Sequence, residues 1–146
     1  MGFTVDQRNA ERADLRAITE LLRNDGLPTD DIECHLENFI ILVNDGEIIG
    51  VGGLERCGEF GLVRSIAVTP ENRNKGVARR IYRCIEERAH ALGISTLYLL
   101  TESAADYFDK LGFVILERAQ TPPSVMASRQ FEELCPSTAT VMFRQI

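Results

Sequence analysis

Clustered cysteines, grouped histidines and long apolar runs are all missing from this 146-residue chain. Cys34, Cys57, Cys84 and Cys135 are far apart and form no C-x-x-C pair, and His35 and His90 add no ligand spacing. Structural zinc wants clustered ligands, so no metal is expected. No apolar stretch approaches the roughly 20 residues of a membrane-spanning helix. The start "MGFTVDQRNAERAD" lacks the basic-then-apolar order of a secretory signal, which makes the cytoplasm the expected compartment, with no membrane partner. A net charge of −6 argues against nucleic acid as a partner. Neither a Walker lysine-serine pair nor a G-x-G-x-x-G opening occurs. No internal repeat or low-complexity tract is present. What remains is an ordinary globular composition, 45% hydrophobic and 26% charged. It suits a single domain over residues 1–146, long enough to bury a core.

The pattern of elements follows from periodicity and turn residues. Phe3 to Arg8 alternates weakly and reads as a first strand. Leu15, Ile18, Leu21 and Leu22 form a helical stripe that Asp25-Gly26-Leu27-Pro28 terminates. Thr29, Asp30 or Asp31 can cap a second helix carrying Ile32, Leu36 and Phe39. "FIILV" and "EIIGVGGL" flank Asn44-Asp45-Gly46, a hairpin signal because Asp-Gly supplies positive φ. Gly58 to Gly61 turns the chain into a strand ending at Val68. A helix from Gly76 runs through Ile81, Cys84 and Ile85 to a C′ glycine at Gly93, with Cys84 expected as a buried reduced thiol. "ISTLYLL" is a buried strand, and "AADYFDKLGF" a short helix ended by Gly112. A strand at Phe113 to Leu116, a helix from Pro122-Pro123 through Phe131, a Cys-Pro break and a strand from Thr138 to Phe143 complete the chain. The order β-α-α-β-β-β-α-β-α-β-α-β predicts an α/β fold, a mixed sheet with helices on both faces.

One segment carries chemistry. In "IAVTPENRNKGVARRI" a β-favouring run, Ile66-Ala67-Val68, ends at Thr69-Pro70. A polar loop follows, and Arg73-x-x-Gly76-x-Ala78 opens a helix. The first helical amides have no intrahelical acceptor. Their partial charge and the macrodipole favour an anion in front of them. Gly76 lets the backbone come close, Ala78 keeps the first turn free of bulk, and Arg73, Lys75, Arg79 and Arg80 add positive charge.

This segment resembles the GCN5-related N-acetyltransferase (GNAT) family, whose pyrophosphate loop reads Q/R-x-x-G-x-G/A after a strand ending in V-x-P. "YFDKLGF" resembles the family's segment beside the pantetheine and acetyl end of the cofactor. "LLTESAADYFDKLGF" with "SRQFEELCPSTATVM" is similar to the acetyltransferase domain of amino-acid N-acetyltransferases, the N-acetylglutamate synthases. "LLRNDGLPTDD…HLENF" together with the tail resembles the small arsenic-resistance N-acetyltransferase group. The resemblance implies the GNAT acyl-CoA N-acyltransferase fold, with a mostly antiparallel sheet, and acetyl-CoA as cosubstrate. The acetyl group would go to the amine of a small molecule, an amino acid or analogue. It also leaves room for a homodimer, because edge strands at the tail often pair in the family.

Site residues implied by the resemblance are Ile66, Ala67 and Val68 along the pantetheine arm, and Arg73, Asn74, Lys75, Gly76, Val77, Ala78 and Arg79 around the pyrophosphate. Many members carry a tyrosine five residues before the phenylalanine of the G-F pair. Here that position is Phe108, which has no proton to give and is expected to pack on the cofactor. Tyr107 is one residue earlier, about 100° away around a helix. The usual glutamate base is missing from Leu62-Val63-Arg64-Ser65. Proton chemistry is therefore sought elsewhere: Thr138, beside Ser137, as acid to the departing thiolate; Tyr107 as the alternative acid; Glu55 as base through water. Arg129 and then Arg64 are candidates for an acceptor carboxylate, since guanidinium and carboxylate pair in two-toothed fashion. Thr101, in the "LLT" run, is the third acceptor candidate. Two other readings stay open at this point: acetylation of a protein or peptide amine, and a non-catalytic acyl-CoA sensor.

Overall fold

Asn44-Asp45-Gly46 forms the turn its sequence asks for, with φ of 52° at Asp45 and 78° at Gly46. Both central residues lie in the left-handed region, which matches the twist of a tight hairpin. It joins β2 (Phe39–Asn44) to β3 (Glu47–Cys57) with Asn44 opposite Glu47. The computed structural model describes residues 5–135 and 137–146. Phe3 and Thr4, expected in the first strand, and the Pro136 of the Cys-Pro break lie outside them.

The remaining elements, in chain order, are β1 (Asp6–Asn9), α1 (Leu15–Asn24), α2 (Ile32–His35), β4 (Phe60–Val68), α3 (Val77–Ala91), β5 (Thr96–Thr101), α4 (Ala105–Lys110), β6 (Val114–Leu116), α5 (Pro123–Met126) and β7 (Thr140–Gln145). Among the described residues, seven strands hydrogen-bond in the order β1-β2-β3-β4-β5-β7-β6. β1–β2, β2–β3, β5–β7 and β6–β7 pair antiparallel, and β4–β5 pairs parallel. The sheet is therefore mixed and mostly antiparallel. The chain forms two compact units: Met1–Leu54 with Ser65–Arg88, and Glu55–Arg64 with Ala89–Ile146.

In the first unit α1 buries Ile18, Leu21 and Leu22 with Ile32, Phe39, Ile41 and Val51. Each fully buried aliphatic contributes about 1.5–3 kcal/mol by leaving water. The glycines of β3 set how closely α3 packs. A Cβ on Gly50 would sit 2.7 Å from Ile81, and one on Gly52 would sit 2.3 Å from Ile81 Cγ2 and 3.0 Å from Ile85 Cδ1. Positions 50 and 52 face the same side of the strand, so the pair clears a groove for the helix. We expect Gly52→Ala to destabilise by about 1–3 kcal/mol through overpacking. A thermal unfolding midpoint unchanged from wild type would contradict this packing.

In the second unit Leu62, Tyr98, Val125, Phe131 and Val141 form the core, with Tyr98 between Phe60 (edge-on, 5.5 Å) and Phe143 (stacked, 6.0 Å). Two helix stops follow the expected glycine chemistry. Gly93 (φ 76°) and Gly112 (φ 97°) sit at the ends of α3 and α4. Each is followed by an amide that reaches back five residues, Ile94 to Ala89 and Phe113 to Phe108.

Several expectations are corrected. Phe39 opens β2 rather than closing a helix, and α2 is a single turn followed by a 3-10 turn at Leu36–Asn38. The turn after β3 is Gly58-Glu59, so Gly61 is already inside β4. The helix after the Arg73-x-x-Gly76 motif starts at Val77, one residue beyond Gly76. The tail helix is two short pieces, α5 and a wide turn at Gln130–Leu134. The last strand starts at Thr140, which leaves Thr138 in an exposed turn.

Candidate functional site

The turn between β4 and α3 is built by local hydrogen bonds, all within the first unit. Thr69 N–H donates to the Ile49 carbonyl at 2.9 Å, which ties the end of β4 to β3. Pro70–Asn72 makes one 3-10 turn, and the Asn72 side-chain amide donates to Thr69 Oγ1 at 2.8 Å. Asn74 (φ 63°) and Gly76 (φ 78°) then take left-handed backbone on either side of Lys75. A Cβ built on Gly76 would meet nothing within 4 Å. The glycine therefore answers a backbone demand and leaves open space where a ligand would approach. The Arg80 N–H donates to the Gly76 carbonyl at 3.1 Å. The amides of Val77, Ala78 and Arg79, in the first turn of a 15-residue helix, have no acceptor inside it. This arrangement fits a phosphate by backbone chemistry alone.

The formal charges are arranged differently from the sequence reading. Arg73 does not simply face the helix mouth: its Nε donates to the Val68 carbonyl at 3.3 Å and its Nη2 to Asp25 Oδ1 at 2.8 Å. The Arg73 amide is also committed, to the Pro70 carbonyl at 3.4 Å. Arg80 donates to the Val5 carbonyl at 2.8 Å and to Gln7 Oε1 at 3.4 Å, so it braces α3 against the start of the chain. Lys75 and Arg79 are exposed beside the turn.

Ile66, Ala67 and Val68 lead into this turn as the last residues of β4. Ser65 precedes them with φ of 59°, a left-handed kink inside a strand. Such a conformation costs a non-glycine residue on the order of 1–2 kcal/mol, and nothing in the sequence announced it. The β4–β5 register covers two residue pairs, Gly61 with Leu97 and Leu62 with Tyr98, against six for β5–β7.

The other candidates belong to the second unit. Arg64 Nη1 donates to Glu55 Oε1 at 3.1 Å, with the side chains 1% and 8% exposed. Two residues proposed for separate roles are thus one buried ion pair. Cys57 lies two residues from Glu55; burial first, and the glutamate's charge second, push its thiol up to about 12. In the first unit, the Cys84 thiol is pushed up as well, by burial and then by Glu87. Tyr107, 36% exposed, meets Phe108 edge-on at 5.5 Å, and the half-buried Phe108 meets Phe113 at 5.8 Å. Thr101 Oγ1 accepts the Ala104 amide at 2.9 Å and so caps the turn into α4. Arg129 Nε donates to Glu133 Oε2 at 2.8 Å. Arg118, which the sequence reading passed over, stands 4.7 Å over the Phe131 ring and donates to the Ala139 carbonyl at 3.3 Å.

A strand that turns through left-handed backbone into the bare N-terminus of a long helix defines a class of anion-binding domain. Residues 35–115 match the Acetyltransferase (GNAT) domain family, and the chain belongs to it. The amino-acid acetyltransferase of Neisseria meningitidis serogroup A is 28% identical over 127 residues, covering 81% of this chain and 29% of that protein. The Pseudomonas aeruginosa amino-acid acetyltransferase is 37% identical over 84 residues, covering 56% of this chain and 19% of its own length. This chain thus spans less than a third of the curated relatives it matches. Among solved structures, N-acetylglutamate synthase from Neisseria gonorrhoeae, complexed with coenzyme A and N-acetyl-glutamate, superposes with a TM-score of 0.85 at 23% identity. It covers 99% of this chain and 36% of that one. Rv2747 from Mycobacterium tuberculosis, solved with coenzyme A, gives 0.82 at 18% identity, over 97% and 99% of the two chains. These likenesses show the fold.

Proposed function

We propose that this chain is an acetyl-CoA-dependent N-acetyltransferase whose acceptor is the amine of a free amino acid or an analogue. The β4–α3 turn carries the reading. Its open Gly76 and the amides of Val77, Ala78 and Arg79 suit a pyrophosphate, and relatives over most of the chain are named amino-acid acetyltransferases. Bound acetyl-CoA would supply the thioester. Ile66, Ala67 and Val68 would hold its pantetheine arm through backbone bonds, and Phe108 would pack against it. Asn74, Lys75 and Arg79 would line the phosphate. Holding the reactants in register can lower the barrier by about 7–11 kcal/mol in favourable cases, so few side-chain catalysts are needed.

In this reading Glu55, through water, takes the proton from the acceptor amine. Thr138 returns one to the departing sulfur, with Tyr107 as the alternative donor. Arg129 binds the acceptor carboxylate by exchanging Glu133 for it; Arg64 and Thr101 are the other contacts. The chain works as one domain over residues 1–146, in the cytoplasm, without a metal, on a small molecule rather than nucleic acid or a membrane, with room for a homodimer. Among the described residues no helix is long and apolar enough to cross a membrane.

Release of coenzyme A on mixing with acetyl-CoA and a panel of amines tests this. Activity is expected on glutamate-like or arsenical amino acids, the latter following the resemblance to the arsenic-resistance group. Activity confined to lysine side chains, polyamines or aminoglycosides would refute the acceptor, and binding without turnover would indicate a sensor. Arg129→Ala should raise the acceptor KM about tenfold or more, the value of a charge-assisted contact, and lower kcat far less. Equal losses in kcat and kcat/KM would remove Arg129 from the binding role.

A further inference from the structure

Asp25 sits at an awkward place for an acid. It follows the last turn of α1, where the macrodipole is negative. The helix end around it is nonetheless well defined: Gly26 takes φ of 70°, and the Leu27 amide reaches back to the Leu22 carbonyl at 2.9 Å. That geometry presents Asp25 Oδ1 to Arg73 Nη2 at 2.8 Å, across 48 residues of sequence. The same guanidinium uses its Nε on the carbonyl of Val68, the last residue of β4. One side chain thus joins the end of β4, the start of the polar turn and the end of α1. The side chains are 50% and 22% exposed.

We propose that Arg73 is a positioning residue for the cofactor turn, and that Asp25 is its anchor. With two of its nitrogens committed to Val68 and Asp25, the guanidinium fixes where the turn leaves the strand. The left-handed residues Asn74 and Gly76 follow directly, so the placement of the α3 amides depends on that anchor. The motif's arginine thereby acts on the phosphate through the backbone. The loop after α1 is also tied to the cofactor turn, which makes Asp25 a determinant of acetyl-CoA affinity. This inference rests on the proposed use of the turn for coenzyme A.

The two roles for Arg73 predict opposite effects of removing Asp25. If Arg73 binds phosphate directly, Asp25→Asn frees it, and coenzyme A should bind as well as before or more tightly. If Asp25 anchors it, coenzyme A binding by calorimetry should weaken about threefold to fivefold, the upper range for a partly exposed ion pair. The acetyl-CoA KM should rise by the same factor, with kcat at saturation unchanged. Asp25→Glu, which still reaches the guanidinium, should stay within about twofold of wild type, and the gap between Asp25→Asn and wild type should shrink in high salt. Asp25→Asn combined with Arg73→Gln should bind no more weakly than Arg73→Gln alone, because the two act as one unit. Unchanged or tighter binding by Asp25→Asn, or strictly additive losses in the double variant, would overturn the proposal. Loss of affinity in Gly76→Asp without any change in Asp25→Asn would reject the anchor alone. No effect in either variant would reject the cofactor turn itself.

Discussion

Gly76→Asp is expected to weaken coenzyme A binding at least tenfold while leaving the protein folded. Two physical terms act together. The new carboxylate stands where the phosphate would approach, and it removes at least one charge-assisted contact worth about 1.5–3 kcal/mol. Space is not the obstacle, because a Cβ at this position meets nothing within 4 Å. The φ of 78° adds a backbone cost on the order of 1–2 kcal/mol for any side chain. Gly76→Ala supplies the control, since it carries the same backbone cost without the charge. Calorimetry on both variants, with thermal unfolding alongside, separates strain from repulsion. Gly76→Asp binding coenzyme A as tightly as Gly76→Ala would mean that no phosphate comes near the turn.

Breaking the Arg64–Glu55 pair is expected to have the largest effect on stability. Both side chains are buried, so either single truncation removes a charge-assisted hydrogen bond from a partner that stays buried. Loss of one partner of such a pair costs about 3–5 kcal/mol, a large part of the 5–15 kcal/mol that holds a typical domain folded. Glu55→Leu and Arg64→Met should each lower the denaturant midpoint strongly. Combined, they should cost less than the sum of the singles, because both changes remove the same ion pair. A double variant losing the full sum would show that the two side chains are held by other partners rather than by each other. The experiment also bears on the proposed role of Glu55, because its side chain is engaged by Arg64.

The parts of the fold that were legible in the sequence rest on local backbone chemistry. The hairpin at Asp45-Gly46 and the helix stops at Gly93 and Gly112 need positive φ, and glycine or aspartate supplies it within a few residues. The turn between β4 and α3 was legible for the same reason, through Gly76. Phe39 was not, because Ile32, Leu36 and Phe39 keep helical spacing while Phe39 also begins the run "FIILV". The buried strand claimed it, since Phe39 to Leu42 are all in the core, and periodicity cannot separate those cases. Ser65 gave no signal for its positive φ, because serine has no strong preference for that region. The partners of the charged residues were the least visible. Arg73 meets an aspartate 48 positions away, and Arg64 pairs across a hairpin with a residue that had been given a different role. An acid just past a helix C-terminus was the available clue for Asp25, since it opposes the dipole and asks for a cation.

The most direct test of the central claim is a titration of the isotope-labelled protein with coenzyme A, followed by backbone amide shifts. Seating of the pyrophosphate on the β4–α3 turn predicts that the largest changes fall on Asn74 through Arg79, with a second group at Ile66 to Val68. Saturable shifts that cluster elsewhere, with the amides of Gly76, Val77 and Ala78 unmoved, would contradict it.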